Sequence, residues 1–142
     1  MKLYREVVRP PLTLMLFLIV MYFSLALAVW AAFDFFQALA TFLILLLTLP
    51  LIWRAQRMVI AVDQELRIDR AHIELKYLRD ARALSAAEYR ELRTFKSDAR
   101  AFHATRSWLK RGVQVYVNDE RDQTTYWLIG SKNPEALAEK LN

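Results

Sequence analysis

The sequence predicts an α+β membrane protein: a hairpin of two transmembrane helices followed by a small β-rich domain that ends in a helix. Three observations carry that prediction. Between Pro10 and Trp53 the chain holds one charge, Asp34, in 44 residues. Basic residues stand on both sides of that run, Lys2, Arg5 and Arg9 before it and Arg54 and Arg57 after it, and none stands inside it. Beyond Met58 the hydrophobic pattern changes to a period of two, broken at short intervals by turn-forming residues. The expected organisation is an N-terminal flank over 1–11, a helical hairpin over 12–53 and a cytoplasmic domain over 54–142.

The hairpin comes first. A bilayer core is crossed by about 20 apolar residues, so the run is twice too long for one crossing and right for two. Backbone polar groups in lipid must be satisfied within their own segment, which makes each half, Leu12 to Phe33 and Phe35 to Trp53, a helix. Lys and Arg in short flanks stay cytoplasmic, so both ends are expected inside the cell and the protein in the cell membrane. A cleavable secretory signal would share the basic start and the Ala26-Leu27-Ala28 triplet, but the apolar stretch runs on through Phe33 without a break. Asp34 and Gln37 have the spacing of a capping box that starts the second helix. An intramembrane carboxylate for ion passage is the alternative reading, and neither helix holds a second ionisable residue to relay to. Trp30, Trp53, Tyr4 and Tyr22 mostly fall near the expected helix ends, as interfacial aromatics do. Pro50 is expected to kink the last turn of the second helix. Neither helix shows a small-residue face long enough to predict a dimer.

Residues 54 to 142 carry 17 Lys and Arg against 13 Asp and Glu, a net charge of +4 and enough chain for one small core. Arg54 to Met58 is too short for a flexible tether, which keeps this domain near the bilayer surface. Without cysteine, disulfides, thiolate catalysis and Cys-type zinc sites are excluded, and two glycines exclude glycine-rich phosphate loops. Short extended segments are expected at Val59–Val62, Leu66–Ile68, Ile73–Tyr77 and Asp80–Leu84. Ser85 and Glu88 form a capping box for a short helix from Ala86 to Phe95. Three strands follow at Ala101–Trp108, Val113–Asn118 and Thr124–Ile129, with Val113, Val115 and Val117 facing one way and hairpin-like connections between them. Asn133 as N-cap with Pro134 at the first helical position starts the closing helix. Seven strands, one interrupting helix and one closing helix match the order of a pleckstrin-homology-like domain; a split two-sheet arrangement would show the same order.

Arg106-Ser107-Trp108-Leu109-Lys110-Arg111-Gly112-Val113, Tyr126-Trp127-Leu128-Ile129 and Asn133-Pro134-Glu135-Ala136-Leu137 resemble the C-terminal signature of an uncharacterised actinobacterial membrane-protein family, catalogued as domain of unknown function 3093. Tyr4-Arg5-Glu6 ahead of a proline, the hairpin and the basic tail extend the likeness over the whole chain. Ser107 stands where the resemblance implies proline, and glycine is scarcer than it implies. The resemblance implies membrane residence and a cytoplasmic tail, and it implies no activity.

Function must therefore come from residues. His72 and His103 are the only histidines, and a metal would need both together with carboxylates such as Asp69, Glu74 or Asp98. No nucleophile motif surrounds Ser85, Ser97, Ser107 or Ser131, and Asp119, Glu120 and Asp122 read as turn formers. No enzyme and no cofactor are expected. The candidate contact residues are basic or aromatic: Arg54, Arg57, Arg106, Trp108, Lys110 and Arg111. Each cation near an anionic leaflet contributes about 1 kcal/mol of attraction. The expectation is a membrane-anchored, non-enzymatic interaction module that meets anionic lipid headgroups or a protein partner, with Trp108 to Arg111 at a hairpin tip. The competing reading of those residues is structural, with Trp108 in the core and the arginines setting topology. An accessory subunit of a larger membrane complex is the alternative function. Nucleic acid is disfavoured: Tyr116, Tyr126 and Trp127 could stack bases, but +4 is weak and strand aromatics are more often core.

Overall fold

The computed structural model describes residues 3–142, so Lys2 of the basic flank lies outside the described residues. The chain forms two compact units, one made of Arg9–Arg57 and one made of the segment ending at Val8 together with Met58–Asn142.

The first unit is a helical hairpin of α1 (Leu12–Ala32) and α2 (Phe35–Gln56). Both helices are long and apolar enough to cross a membrane. Asp34 is the N-cap of α2, its Oδ1 accepting the backbone N–H of Gln37 at 2.9 Å. The helices meet through small residues, Ala26 and Ala38 being their buried positions, and through edge-to-face contact of Phe23 with Phe42 at 6.2 Å. Tyr22 lies in the middle of α1 and not near a helix end as expected, and its hydroxyl shares a hydrogen bond with Thr48 Oγ1 at 2.8 Å. Pro50 sits inside α2, which runs on past it to Gln56.

The second unit holds two four-stranded sheets. The first is antiparallel, in the order β1 (Tyr4–Val8), β2 (Met58–Val62), β3 (Glu65–Ile68) and β4 (Ala71–Glu74). Strand β1 lies within the segment read from sequence as a flank. Its five residues show no clean alternation, and its partner lies across the hairpin: Tyr4 pairs with Val62 and Val8 with Met58. Leu75–Tyr77 is a single 3₁₀ turn where the sequence reading continued a strand.

The second sheet runs in the order β5 (Leu78–Leu84), β7 (Gly112–Val117), β8 (Tyr126–Gly130) and β6 (Phe102–Ala104). Between β6 and β7 the connection is a crossover and not the expected hairpin: β6 is short and lies parallel to β8 on the far side from β7. Within β5 the register shifts between Arg79 and Arg82, and Asp80 adopts a left-handed conformation at φ 52°.

Hydrophobic periodicity explains the packing. Val8, Met58, Ile60, Leu66 and Ile68 of the first sheet form one core with Val113, Val115, Trp127 and Ile129 of the second and with Leu137 and Leu141 of helix α4 (Pro134–Leu141). Leu128 and Tyr126 point the other way, into a smaller core with Leu84 and with Tyr89 of helix α3 (Ala86–Arg93). Buried on both faces, β8 reads as an unbroken apolar run and not as an alternation.

Candidate ligand-binding surface

Helix α3 begins as its capping box dictates. Ser85 Oγ accepts the Glu88 N–H at 3.3 Å and Glu88 Oε2 accepts the Ser85 N–H at 2.9 Å. Those hydrogen bonds hold the Glu88 carboxyl below its ordinary range, because they favour the charged form. The cap fixes the helix register, which turns Tyr89 into the small core and leaves Arg90 exposed and Arg93 half-buried. Arg93 Nη1 donates to the backbone carbonyl of Leu109 at 3.3 Å, and its guanidinium lies 5.4 Å from the centre of the Tyr89 ring. The loop from Thr105 to Arg111 is thereby held beside α3. Between helix and loop runs a groove of about 540 Å³ lined by Tyr89, Arg90, Arg93, Ser107, Leu109 and Lys110, with Ala86 and Ala87 completing it. Three cations and no carboxylate line it. Tyr89 is fully buried, its hydroxyl has no hydrogen-bond partner among the described residues, and burial pushes its pKa up to about 12.

The sequence-derived contact residues are spread over several settings. Arg54 lies in the last turn of α2 and Arg57 is its C-cap, both exposed. Arg106 is half-buried and lies 3.6 Å from Asp69. Trp108 is partly buried against the main core, with its indole nitrogen buried. Arg111 is exposed and pairs with Glu135 on α4, whose carboxyl is held low first by a hydrogen bond from its own backbone N–H and then by Arg111. Lys110 alone of this loop's candidates joins the groove. Sequence reasoning missed Arg90 and Arg93, although their i, i+3 spacing on a correctly capped helix places both on one face.

The other candidate centres disperse. His72 stands on β4 opposite Arg67, while His103 stands on β6 of the other sheet with Nε2 3.3 Å from Ser97 Oγ. No group of three metal-ligating side chains occurs among the described residues. Asp119 and Asp122 accept backbone N–H groups of Arg121 at 3.0 Å and Thr124 at 2.9 Å, the ordinary work of turn carboxylates. Tyr126 and Trp127 are buried, leaving Tyr116 as the exposed member of that aromatic trio.

The residues that carried the family resemblance tie the domain together. Glu6 on β1 accepts Tyr4 Oη at 2.8 Å, Ser131 Oγ at 2.6 Å and the Lys132 N–H at 2.7 Å, joining the Tyr-Arg-Glu segment to the turn ahead of α4. Burial and the Glu6 carboxylate raise the Tyr4 pKa to about 12. Gly112, from the Arg-Gly-Val segment, packs where the Tyr89 ring leaves no room for a side chain.

An apolar two-helix hairpin inserted between the first two strands of a two-sheet α+β domain defines the class of protein. The chain belongs to the family described as protein of unknown function DUF3093, whose model matches residues 3–141. No curated protein matches it, and no solved structure matches it.

Proposed function

We propose that this protein is a non-enzymatic interaction module anchored in the cell membrane by its hairpin, with both termini and the β-rich domain in the cytoplasm. One observation carries the reading: the strands on either side of the hairpin pair with each other, Val8 opposite Met58. A chain that leaves and re-enters one sheet at one register pair must put both flanks on the same side of any membrane its hairpin crosses. The same pairing argues against a cleaved signal, since cleavage after Ala28 would remove β1 from the sheet. Arg9, Arg54 and Arg57 flank the helices while the turn between them has no Lys or Arg, which supports the cytoplasmic assignment. The meander of the first sheet and the closing helix support a pleckstrin-homology-like description, while the second sheet, ordered β5-β7-β8-β6 with β6 parallel to β8, departs from it toward the split two-sheet alternative.

The test exploits a cysteine-free chain. Phe36→Cys, at an exposed position beside the turn, is expected to react with a membrane-impermeant maleimide on intact cells. Glu120→Cys, in the domain, is expected to react only after the membrane is opened. The reverse pattern overturns the cytoplasmic assignment, and loss of the chain from membranes on alkaline washing overturns the anchor. Affinity capture of the full chain from native membranes tests the interaction. Recovery of co-purifying anionic lipid supports a headgroup-facing module, a stoichiometric protein partner supports the accessory-subunit version, and a bare monomer overturns both.

A further inference from the structure

We infer that the groove between α3 and the Thr105–Arg111 loop binds a phosphate monoester, held by Arg90, Arg93 and Lys110. This rests on the interaction-module reading and assigns it a site. The groove's volume of about 540 Å³ lies within the range of small-ligand sites. Its charge is one-sided. Arg90 and Lys110 form no ion pair among the described residues, while the carboxylates on either side of Arg90 are engaged elsewhere: Glu88 with the Ser85 cap and Arg82, Glu91 with Lys96. Three cations lining one groove without a carboxylate among them repel one another, and an anion relieves that repulsion.

The geometry favours phosphate over a single carboxylate. Arg90 and Arg93 are neighbours at i, i+3 on one helix, so two guanidinium groups can share the three terminal oxygens of a dianionic phosphate monoester, more acceptors than one carboxylate offers. Arg93 is already positioned by the Leu109 carbonyl and the Tyr89 ring, so little of its freedom remains to be lost on binding. Lys110, one residue along from Leu109, closes the other wall as a mobile point charge. Leu109, Ala86 and Ala87 give the ligand's organic part an apolar surface.

The phosphate can come from a soluble ester or from a lipid headgroup. The full chain is reconstituted in phosphatidylcholine nanodiscs and titrated with glycerol 3-phosphate; in a second arm, nanodiscs carry phosphatidic acid and contact with the domain is read by photo-crosslinking from the lipid headgroup. Arg90→Gln/Lys110→Gln removes two cations whose side chains hold nothing else in place, and Arg5→Gln/Lys132→Gln removes two from elsewhere on the domain. Equal melting temperatures establish that all variants are folded. Saturable binding of glycerol 3-phosphate that weakens about tenfold or more in the groove variant, and not in the control, supports a soluble ligand. Crosslinking to phosphatidic acid with the same dependence, and no response to the soluble ester, supports a lipid headgroup. Binding in neither arm, or equal loss in both variants, overturns the site. A chain that stays in membranes and retains a partner yet fails both arms loses this inference alone, whereas failure of the labelling and capture experiments removes the module reading itself.

Discussion

Gly112 on β7 and Gly130 on β8 face each other as one register pair, and Tyr89 of α3 packs over both. They are the only two glycines in the chain. A Cβ on Gly112 would run into the Ile129 carbonyl and come within 2.6 Å of Tyr89 Cε2, while one on Gly130 would lie 2.7 Å from Tyr89 Oη and from Leu109 Cδ1. Both positions serve close approach, and neither needs a left-handed backbone.

Gly112→Ala should therefore be the worse of the two substitutions, because backbone cannot move aside as a side chain can. Overpacking of this kind costs about 1–3 kcal/mol, and Gly112→Ala should lie at or above the upper end. Gly130→Ala should be partly rescued by Tyr89→Phe, which removes one of the two atoms in the way and also a buried hydroxyl without a partner among the described residues. Denaturant melts of the two single variants and the double variant read the coupling; strict additivity would show that the hydroxyl does not limit the space.

Glu6 fastens the first strand to the turn ahead of α4. Glu6→Ala leaves the buried Ser131 hydroxyl and the Lys132 N–H without their acceptor, and should lower stability by about 2 kcal/mol. Hydrogen exchange at the Lys132 amide should accelerate with it. An unchanged exchange rate there would mean the clasp is replaced by water at no cost.

Asn142 repairs the bulge in β5. Its side chain accepts the Ala81 N–H at 3.0 Å and donates to the Ala81 carbonyl at 2.9 Å, standing in for a strand neighbour where the register shift has removed one. Asn142→Ala should cost about 1–2 kcal/mol and expose the Ala81 amide to exchange, whereas Asn142→Asp should keep the acceptor and lose the donor.

The capping carboxylate of α3 links stability to pH. Glu88 has a folded pKa below its ordinary value of 4.5, so its contribution is present above that value and is lost as pH falls through the lower folded one. The melting-temperature difference between the native chain and Glu88→Gln should be largest near neutrality and shrink as pH is lowered below 4.5. A difference that grows on acidification would reverse the sign and assign the shift to another group.

The sequence alone determined most of the local structure. One charge in 44 residues made the hairpin legible, Asp34, Ser85 and Asn133 marked three helix starts, and alternation marked β2, β3 and β7. These signals lie within a few residues of the structure they specify. Tertiary structure alone decided what depends on distant partners. Tyr4–Val8 is a strand because Met58–Val62 comes back across the hairpin to pair with it. Phe102–Ala104 pairs in parallel with β8 and not with β7 as a hairpin, and Trp108, in the loop that follows it, packs partly buried against the core. The groove arises the same way, from helical spacing that aligns Arg90 with Arg93 and from a crossover loop that brings Lys110 to them, since no local pattern fixes where a loop will lie.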